Sequence, residues 1–232
     1  MIALDHRGGI ATLTLDRPAQ RNALATQHWH LLAETIAAVP PDAALVLLRS
    51  GTPGIFSAGA DLRELAGLAD SPPARAAFRT AMRAGIEALA ALPMPVVAWI
   101  DGGCFGAGVA LALAADLRVG SDAARFAIPP ARLGIAYPAE DVARLTACIG
   151  GGAAARLLFS GEAIDAAEAL RLRLVDMIGD GAAVAEAIAA NDPAALVTLK
   201  AMLRDPAAPA HAQAFEDSFA SPRFREGTAR WR

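Results

Sequence analysis

Asp101-Gly102-Gly103-Cys104-Phe105-Gly106-Ala107-Gly108 follows the aliphatic run Val96 to Ile100 and opens onto the small-residue segment Val109 to Ala115. The run is short, continuous and bounded by Pro95 and Asp101, as expected of a strand buried on both faces. The octapeptide therefore reads as a glycine-rich turn from strand into helix, the helix ending near Asp116. Such a turn leaves backbone N–H groups that no side chain covers, and the helix adds its own unpaired N–H groups and the positive end of its dipole. A second small-residue turn, Phe56-Ser57-Ala58-Gly59-Ala60-Asp61-Leu62, comes earlier, after the buried-strand run Ala44 to Leu48. If the two turns converge, one N–H from each grips a carbonyl oxygen and stabilises the charge that builds on it. The same small residues also serve simply to let a helix pack closely on a strand.

Upstream, Ile10, Thr12 and Thr14 alternate with Ala11, Leu13 and Leu15 as a strand does, and Asp16-Arg17-Pro18 ends it. Asn22 is placed to cap a helix whose apolar positions Leu24, Leu31, Leu32, Ile36 and Val39 recur at three- and four-residue steps until Pro40-Pro41. Ser71 ahead of Pro72-Pro73 starts another helix, which carries Phe78, Met82, Ile86 and Leu89 on one stripe and stops before Pro93. Short strands are expected at Leu117 to Val119 and Arg125 to Ile128. From about Pro138 the chain is mainly helical, with Asp165 and Glu168 spaced as a capping pair. Strands alternating with helices in this way predict an α/β domain with parallel pairing, a core over 1–180 and a helical segment over 181–232. The softest joints lie at Gly179 to Ala183 and around Pro193.

Composition narrows the function. The 232 residues are 55% apolar and 19% charged, which excludes a disordered chain, and no apolar run is long enough for a bilayer, so no membrane partner is expected. A formal charge of -3 argues against nucleic acid. No basic leader with an apolar core follows Met1, so a cytoplasmic location is the expectation. Cys104 and Cys148 have no paired spacing and read as buried thiols, and no metal is implied. His6, His28, His30 and His211 lie away from the glycine turns and read as surface or packing residues. Dinucleotide binding fails because the third glycine position of that motif is Leu111, and a P-loop fails for want of its lysine, Lys200 being the chain's sole one. Ser57 is not in a nucleophile elbow, its second neighbour upstream being Ile55.

Taken in order, Arg17-Pro18 with Asn22-Ala23-Leu24, Phe56 through Leu62, Asp101-Gly102 with Gly106-Ala107-Gly108, and Ala115-Asp116-Leu117-Arg118 resemble the crotonase superfamily, the enoyl-CoA hydratase/isomerase family. Phe126, Leu133-Gly134, Arg144-Leu145, Gly150, Ser160-Gly161-Glu162 and Glu226-Gly227 carry the resemblance over essentially the whole chain. It implies a crotonase-like α/β fold of stacked β-β-α turns, a helical C-terminal part that supports a homotrimer or dimer of trimers, and a CoA thioester bent between the two turns. The N–H groups of Ala60 and Ala107 then form the oxyanion hole. Gln20, Arg21, Ala23 and Leu24 match the loop along adenine and pantetheine, and Ala58, Asp61, Leu62 and Gly106 fall at substrate-binding positions. Arg63 stands where the family often has a lysine near the CoA phosphates. No cofactor is implied beyond the coenzyme A that the acyl-CoA substrate carries.

The chain departs from that family where hydratases hold water between two glutamates. Those positions are Ala110 and Pro130 here, and neither transfers a proton. A general acid or base contributes roughly a hundred- to ten-thousand-fold, so hydration by that route is expected to be severely reduced. Isomerisation and decarboxylation need fewer proton-handling groups and rank ahead of it; the alternative is an acyl-CoA-binding relative without turnover. Decarboxylase-like members have a tyrosine where this chain has Tyr137, whose phenol would orient a malonyl-type carboxylate, although Tyr-Pro also occurs there without that role. Glu140 and Asp141 either favour the dipole of a helix starting at Pro138 or, Glu140 first, supply a lone base over the thioester α-carbon.

Overall fold

A computed structural model describes residues 1–231. Strands β1 (Ile2–Arg7) and β2 (Ile10–Leu15) form an antiparallel hairpin in which Ile2 faces Leu15 and Arg7 faces Ile10. Gly8 and Gly9 both take positive φ at its two-residue turn, as such turns require. The sequence pattern did not announce β1, because it is an edge strand whose Asp5, His6 and Arg7 are exposed. Helix α1 (Thr26–Ala37) follows, and then a unit repeats: a strand, a second short strand, and helix.

The first unit is β3 (Leu45–Ser50), β4 (Ile55–Ser57), α2 (Leu62–Gly67) and α3 (Pro72–Ala91). The second is β5 (Val96–Ile100), β6 (Gly103–Phe105) and α4 (Ala107–Ala112). The third is β7 (Leu117–Gly120), β8 (Arg125–Ala127) and α5 (Ala139–Ile149). The remaining elements are α6 (Gly151–Ser160), β9 (Ile164–Asp165), α7 (Ala166–Arg171), β10 (Met177–Ile178), α8 (Gly181–Ala189), α9 (Pro193–Arg204), α10 (Ala210–Ser218) and α11 (Pro222–Thr228). The first strand of each unit joins one sheet, ordered β1-β2-β3-β5-β7-β10, and the second joins another, ordered β4-β6-β8-β9. Pairing is parallel throughout except for β1 with β2 and β8 with β9.

The main sheet is covered on both faces, which explains the unbroken apolar runs. Val46, Leu48, Val96, Ala98 and Ile100 face the large core, where Trp29, Leu32 and Ile36 of α1 meet Phe78, Met82, Ile86 and Leu89 of α3. Leu45, Leu47 and Val97 face the other way, onto Ala185 of α8. Within the joint at Gly179 to Ala183, Gly181 is buried, and a Cβ on it would lie 2.4 Å from the Trp99 Cβ. Ser71 and Asp165 cap their helices as expected, accepting from the N–H of Ala74 and Glu168.

Three local readings need correction. Asn22 caps no helix, since α1 starts at Thr26 and the imidazole Nδ1 of His28 accepts from the Ala25 N–H at 3.2 Å. The glycine-rich turn contains a strand, β6, because backbone this bare still pairs when neighbours on both sides offer a ladder. Helix α4 stops at Ala112 instead of near Asp116, whose carboxylate turns back to accept from the Val96 N–H at 2.7 Å. At the C-terminal end Phe215, Phe219 and Phe224 stack edge to face, and Leu199, Leu203 and Trp231 are exposed. Among the described residues no single helix is long and apolar enough to cross a membrane.

Candidate functional site

The two small-residue turns meet because the strands feeding them are paired. β4 and β6 run parallel with Ser57 opposite Cys104, so the chain leaves both strands at the same level. Glycine makes the approach possible. Gly59, at φ 91°, has no room for a side chain: a Cβ would fall 2.5 Å from the Phe105 carbonyl oxygen and 3.0 Å from the Ala107 nitrogen. Across the gap, a Cβ on Gly108 would fall 2.9 Å from the Ser57 Cβ. Gly59-Ala60 thus lies against the first residues of α4. The N–H groups of Ala60 and Ala107 find no acceptor among the described residues, whereas Gly59 N–H donates to Ser57 Oγ and Asp61 N–H to the Leu24 carbonyl.

Asn22 holds the third strip of chain in place. It is fully buried at φ 56°, a left-handed conformation that asparagine tolerates better than most residues. Its Nδ2 donates to Ser50 Oγ at 2.8 Å and to the Phe56 carbonyl at 3.0 Å, and its Oδ1 accepts from the Arg17 N–H at 2.7 Å. Ser57 Oγ returns a bond to the Asn22 carbonyl. Leu24 then bridges Ala60 in parallel, and the Ala58 N–H donates to the Arg21 carbonyl. Gln20, Arg21, Ala23 and Leu24 therefore run beside Ala58, Asp61 and Leu62. Of this set Ala23 and Leu24 are buried, while Gln20, Arg21 and Leu62 are exposed. Arg63 is exposed too, at the start of α2, which Asp61 caps by accepting from the Arg63 N–H.

Tyr137 approaches the second turn from the segment before α5. Its hydroxyl donates to the Gly106 carbonyl at 3.0 Å. Burial raises the phenol pKa well above its usual value, the nearby Asp141 and Cys104 adding to the effect, so the group stays protonated. The hydratase positions behave differently: Ala110 is fully buried, and Pro130 is half-buried at the start of a turn, Pro130–Leu133, whose other residues are exposed.

The two acids at the start of α5 separate. Glu140 is exposed at the rim of a cavity of about 300 Å3 that is also lined by Arg79, Thr80, Arg83 and Pro138. Asp141 is 1% exposed and faces inward. Its Oδ1 lies 3.5 Å from Arg144 Nη1 and 3.9 Å from Arg83 Nη1 without a hydrogen bond to either. Glu87 takes the other nitrogen of both arginines, at 2.7 and 2.9 Å. Burial raises the Asp141 pKa, with Arg144 and then Arg83 opposing it. This cluster escaped the sequence reading, although Arg83 with Glu87 and Asp141 with Arg144 stand at same-face helical spacings. No group of metal-ligating side chains occurs among the described residues.

Comparison with known proteins gives a consistent result. A family model described as enoyl-CoA hydratase/isomerase matches residues 5–221. A probable enoyl-CoA hydratase of Mycobacterium bovis is 34% identical over 229 residues, covering 95% of this chain and 91% of that protein. The human mitochondrial methylglutaconyl-CoA hydratase is 34% identical over 172 residues, 73% of this chain and 50% of that one. Among solved structures, an enoyl-CoA hydratase/isomerase family protein from Hyphomonas neptunium superposes with a TM-score of 0.90 at 34% identity, covering 99% of this chain and 94% of the other. Enoyl-CoA hydratase from Bacillus anthracis gives 0.87 at 28% identity, over 99% and 95%.

Proposed function

The chain belongs to the enoyl-CoA hydratase/isomerase family, and on that premise we propose that it is an acyl-CoA enzyme whose Ala60 and Ala107 N–H groups hold the thioester carbonyl and stabilise its enolate. The observation that carries this reading is the pair of unsatisfied N–H groups brought together by Gly59 against the start of α4. Both donors are backbone, fixed before substrate arrives, and each such donor is worth roughly a hundred- to a thousand-fold in rate. Gln20, Arg21, Ala23 and Leu24 line the path of the CoA, with Arg63 near its phosphates.

Proton handling follows from the acids present. With Ala110 and Pro130 in place of glutamates, the reaction is α-proton transfer, isomerisation or decarboxylation rather than two-carboxylate hydration. Glu140 serves as the lone base: it is exposed and in no ion pair among the described residues, whereas Asp141 is buried between two arginines. The exposed Leu199, Leu203 and Phe215 supply the self-association surface of a homotrimer or dimer of trimers.

The test is mass spectrometry of acyl-, enoyl- and malonyl-type CoA esters incubated in heavy water with the protein and with Glu140→Gln. Deuterium uptake, double-bond migration or loss of carbon dioxide that disappears in the variant supports the assignment. Esters that bind but never change favour a second reading, an acyl-CoA-binding protein without turnover, which the lack of a proton-transferring side chain at Ala110 and Pro130 supports.

A further inference from the structure

Gly106 and Ala107 share one peptide unit: the carbonyl that accepts from Tyr137 belongs to the same amide as the N–H assigned to the thioester oxygen. From that juxtaposition we infer that Tyr137 is a positioning residue for the oxyanion hole, acting through the Gly106–Ala107 amide without touching the substrate. This inference rests on the oxyanion-hole reading and assigns the chain's one tyrosine a part in it.

Two physical effects follow from the contact. The first is orientation. Gly106 sits at φ 50° and ψ -120°, and a Cβ there would meet nothing within 4 Å, so no side chain at this residue fixes the torsions that aim its following peptide. The hydrogen bonds on that peptide are those its carbonyl accepts, from the Val109 N–H at 2.9 Å and from Tyr137 at 3.0 Å. The Ala110 N–H, at 3.4 Å, adds only a weak third bond. Rotation would swing the Ala107 N–H away from Ala60. The phenol fastens the amide from outside α4, which the helix's own bonds do not do.

The second effect is polarisation. A donor on an amide carbonyl draws electron density toward its oxygen and makes the N–H of the same amide a stronger donor, by roughly 10–30% per bond. The phenol serves this end because it remains protonated: burial and the neighbouring Asp141 both disfavour its anion.

The experiment reads the bound thioester directly. Butyryl-CoA labelled with carbon-13 at the carbonyl is bound to the wild type, to Tyr137→Phe, and to protein grown on 3,5-difluorotyrosine, and the carbonyl stretch is recorded by difference Raman spectroscopy. Because Tyr137 is the single tyrosine, the analogue labels it alone. The wild type should lower the stretch relative to free ester, and Tyr137→Phe should lose at least a tenth of that shift with less than about a threefold change in Kd. The fluorinated phenol, a stronger donor in the same shape, should deepen the shift. A ring that merely fills space would leave the stretch unchanged in both variants, and that result overturns the inference while the oxyanion hole stands. A selective loss of malonyl-CoA affinity in Tyr137→Phe with no change in the butyryl stretch also overturns it, in favour of a direct carboxylate contact. Failure of the wild type to bind any ester removes the functional reading itself, and the tyrosine's role with it.

Discussion

Lys200 reaches from helix α9 into the body of the protein, where its ammonium lies 2.5 Å from the Asp116 carboxylate and donates to the Met94 carbonyl at 2.7 Å. The lysine is only 4% exposed, and Asp116 also receives the Val96 N–H, so one carboxylate ties the C-terminal helices to the start of β5. Burial lowers the Lys200 pKa while Asp116 holds it up, as expected of a charge retained indoors by its partner.

Lys200→Met keeps the aliphatic stem and removes the charge, leaving the Met94 carbonyl bare and the carboxylate with a single donor. The expected cost is about 2 kcal/mol, less than for a fully sealed pair because Asp116 is partly solvated. Urea unfolding measures it, and limited proteolysis should cut the 193–231 region first.

Gly59→Ala tests the convergence of the turns. The new methyl collides with the Phe105 carbonyl, forcing apart the segments that carry Ala60 and Ala107, so thioester affinity should fall at least about tenfold, the equivalent of roughly 1.4 kcal/mol. Gly8→Ala is the matched control. It also has positive φ, at 58°, but nothing lies within 4 Å, so it should cost about 1–2 kcal/mol of backbone strain and leave binding alone. Calorimetric titration with an acyl-CoA ester distinguishes the two.

Asp141 gives the protein a stability term that depends on pH. Its folded-state pKa is raised, so its contribution is complete below the ordinary aspartate range and is lost as the pH rises through the raised value. Asp141→Asn lacks that loss. Urea midpoints for the two proteins should therefore diverge progressively with rising pH, the wild type declining relative to the variant; parallel curves would contradict the burial-driven shift.

Ala110→Glu, made to restore a hydratase acid, should fail. The position is sealed beside the Tyr137 phenol, and a carboxylate there costs roughly 3 kcal/mol or more. Adding Tyr137→Ala to the same chain opens space and should recover part of the loss. Thermal unfolding of both variants checks this, and a stable single variant with new hydratase activity would refute it.

Much of this protein was legible from its residues, and what was legible was local. Val96 to Ile100 is apolar on both faces because both faces are covered, and Ser71, Asp165 and the prolines mark helix ends because caps act within one turn. The ordered turn motifs also pointed to the family. Tertiary structure decided the rest through contacts between segments distant in sequence. Asn22 resembled a cap and proved to be a buried hub, since its partners Ser50 and Phe56 lie in the next unit. Glu140 and Asp141 are adjacent and chemically alike, yet the direction in which α5 enters leaves one in solvent and seals the other against Arg83 and Arg144. The pairing of Ser57 with Cys104 sets two loops side by side, and the reach of Tyr137 to Gly106 fastens one of them. Strand register and helix packing fix such distances, and a pattern of local periodicities carries no record of them.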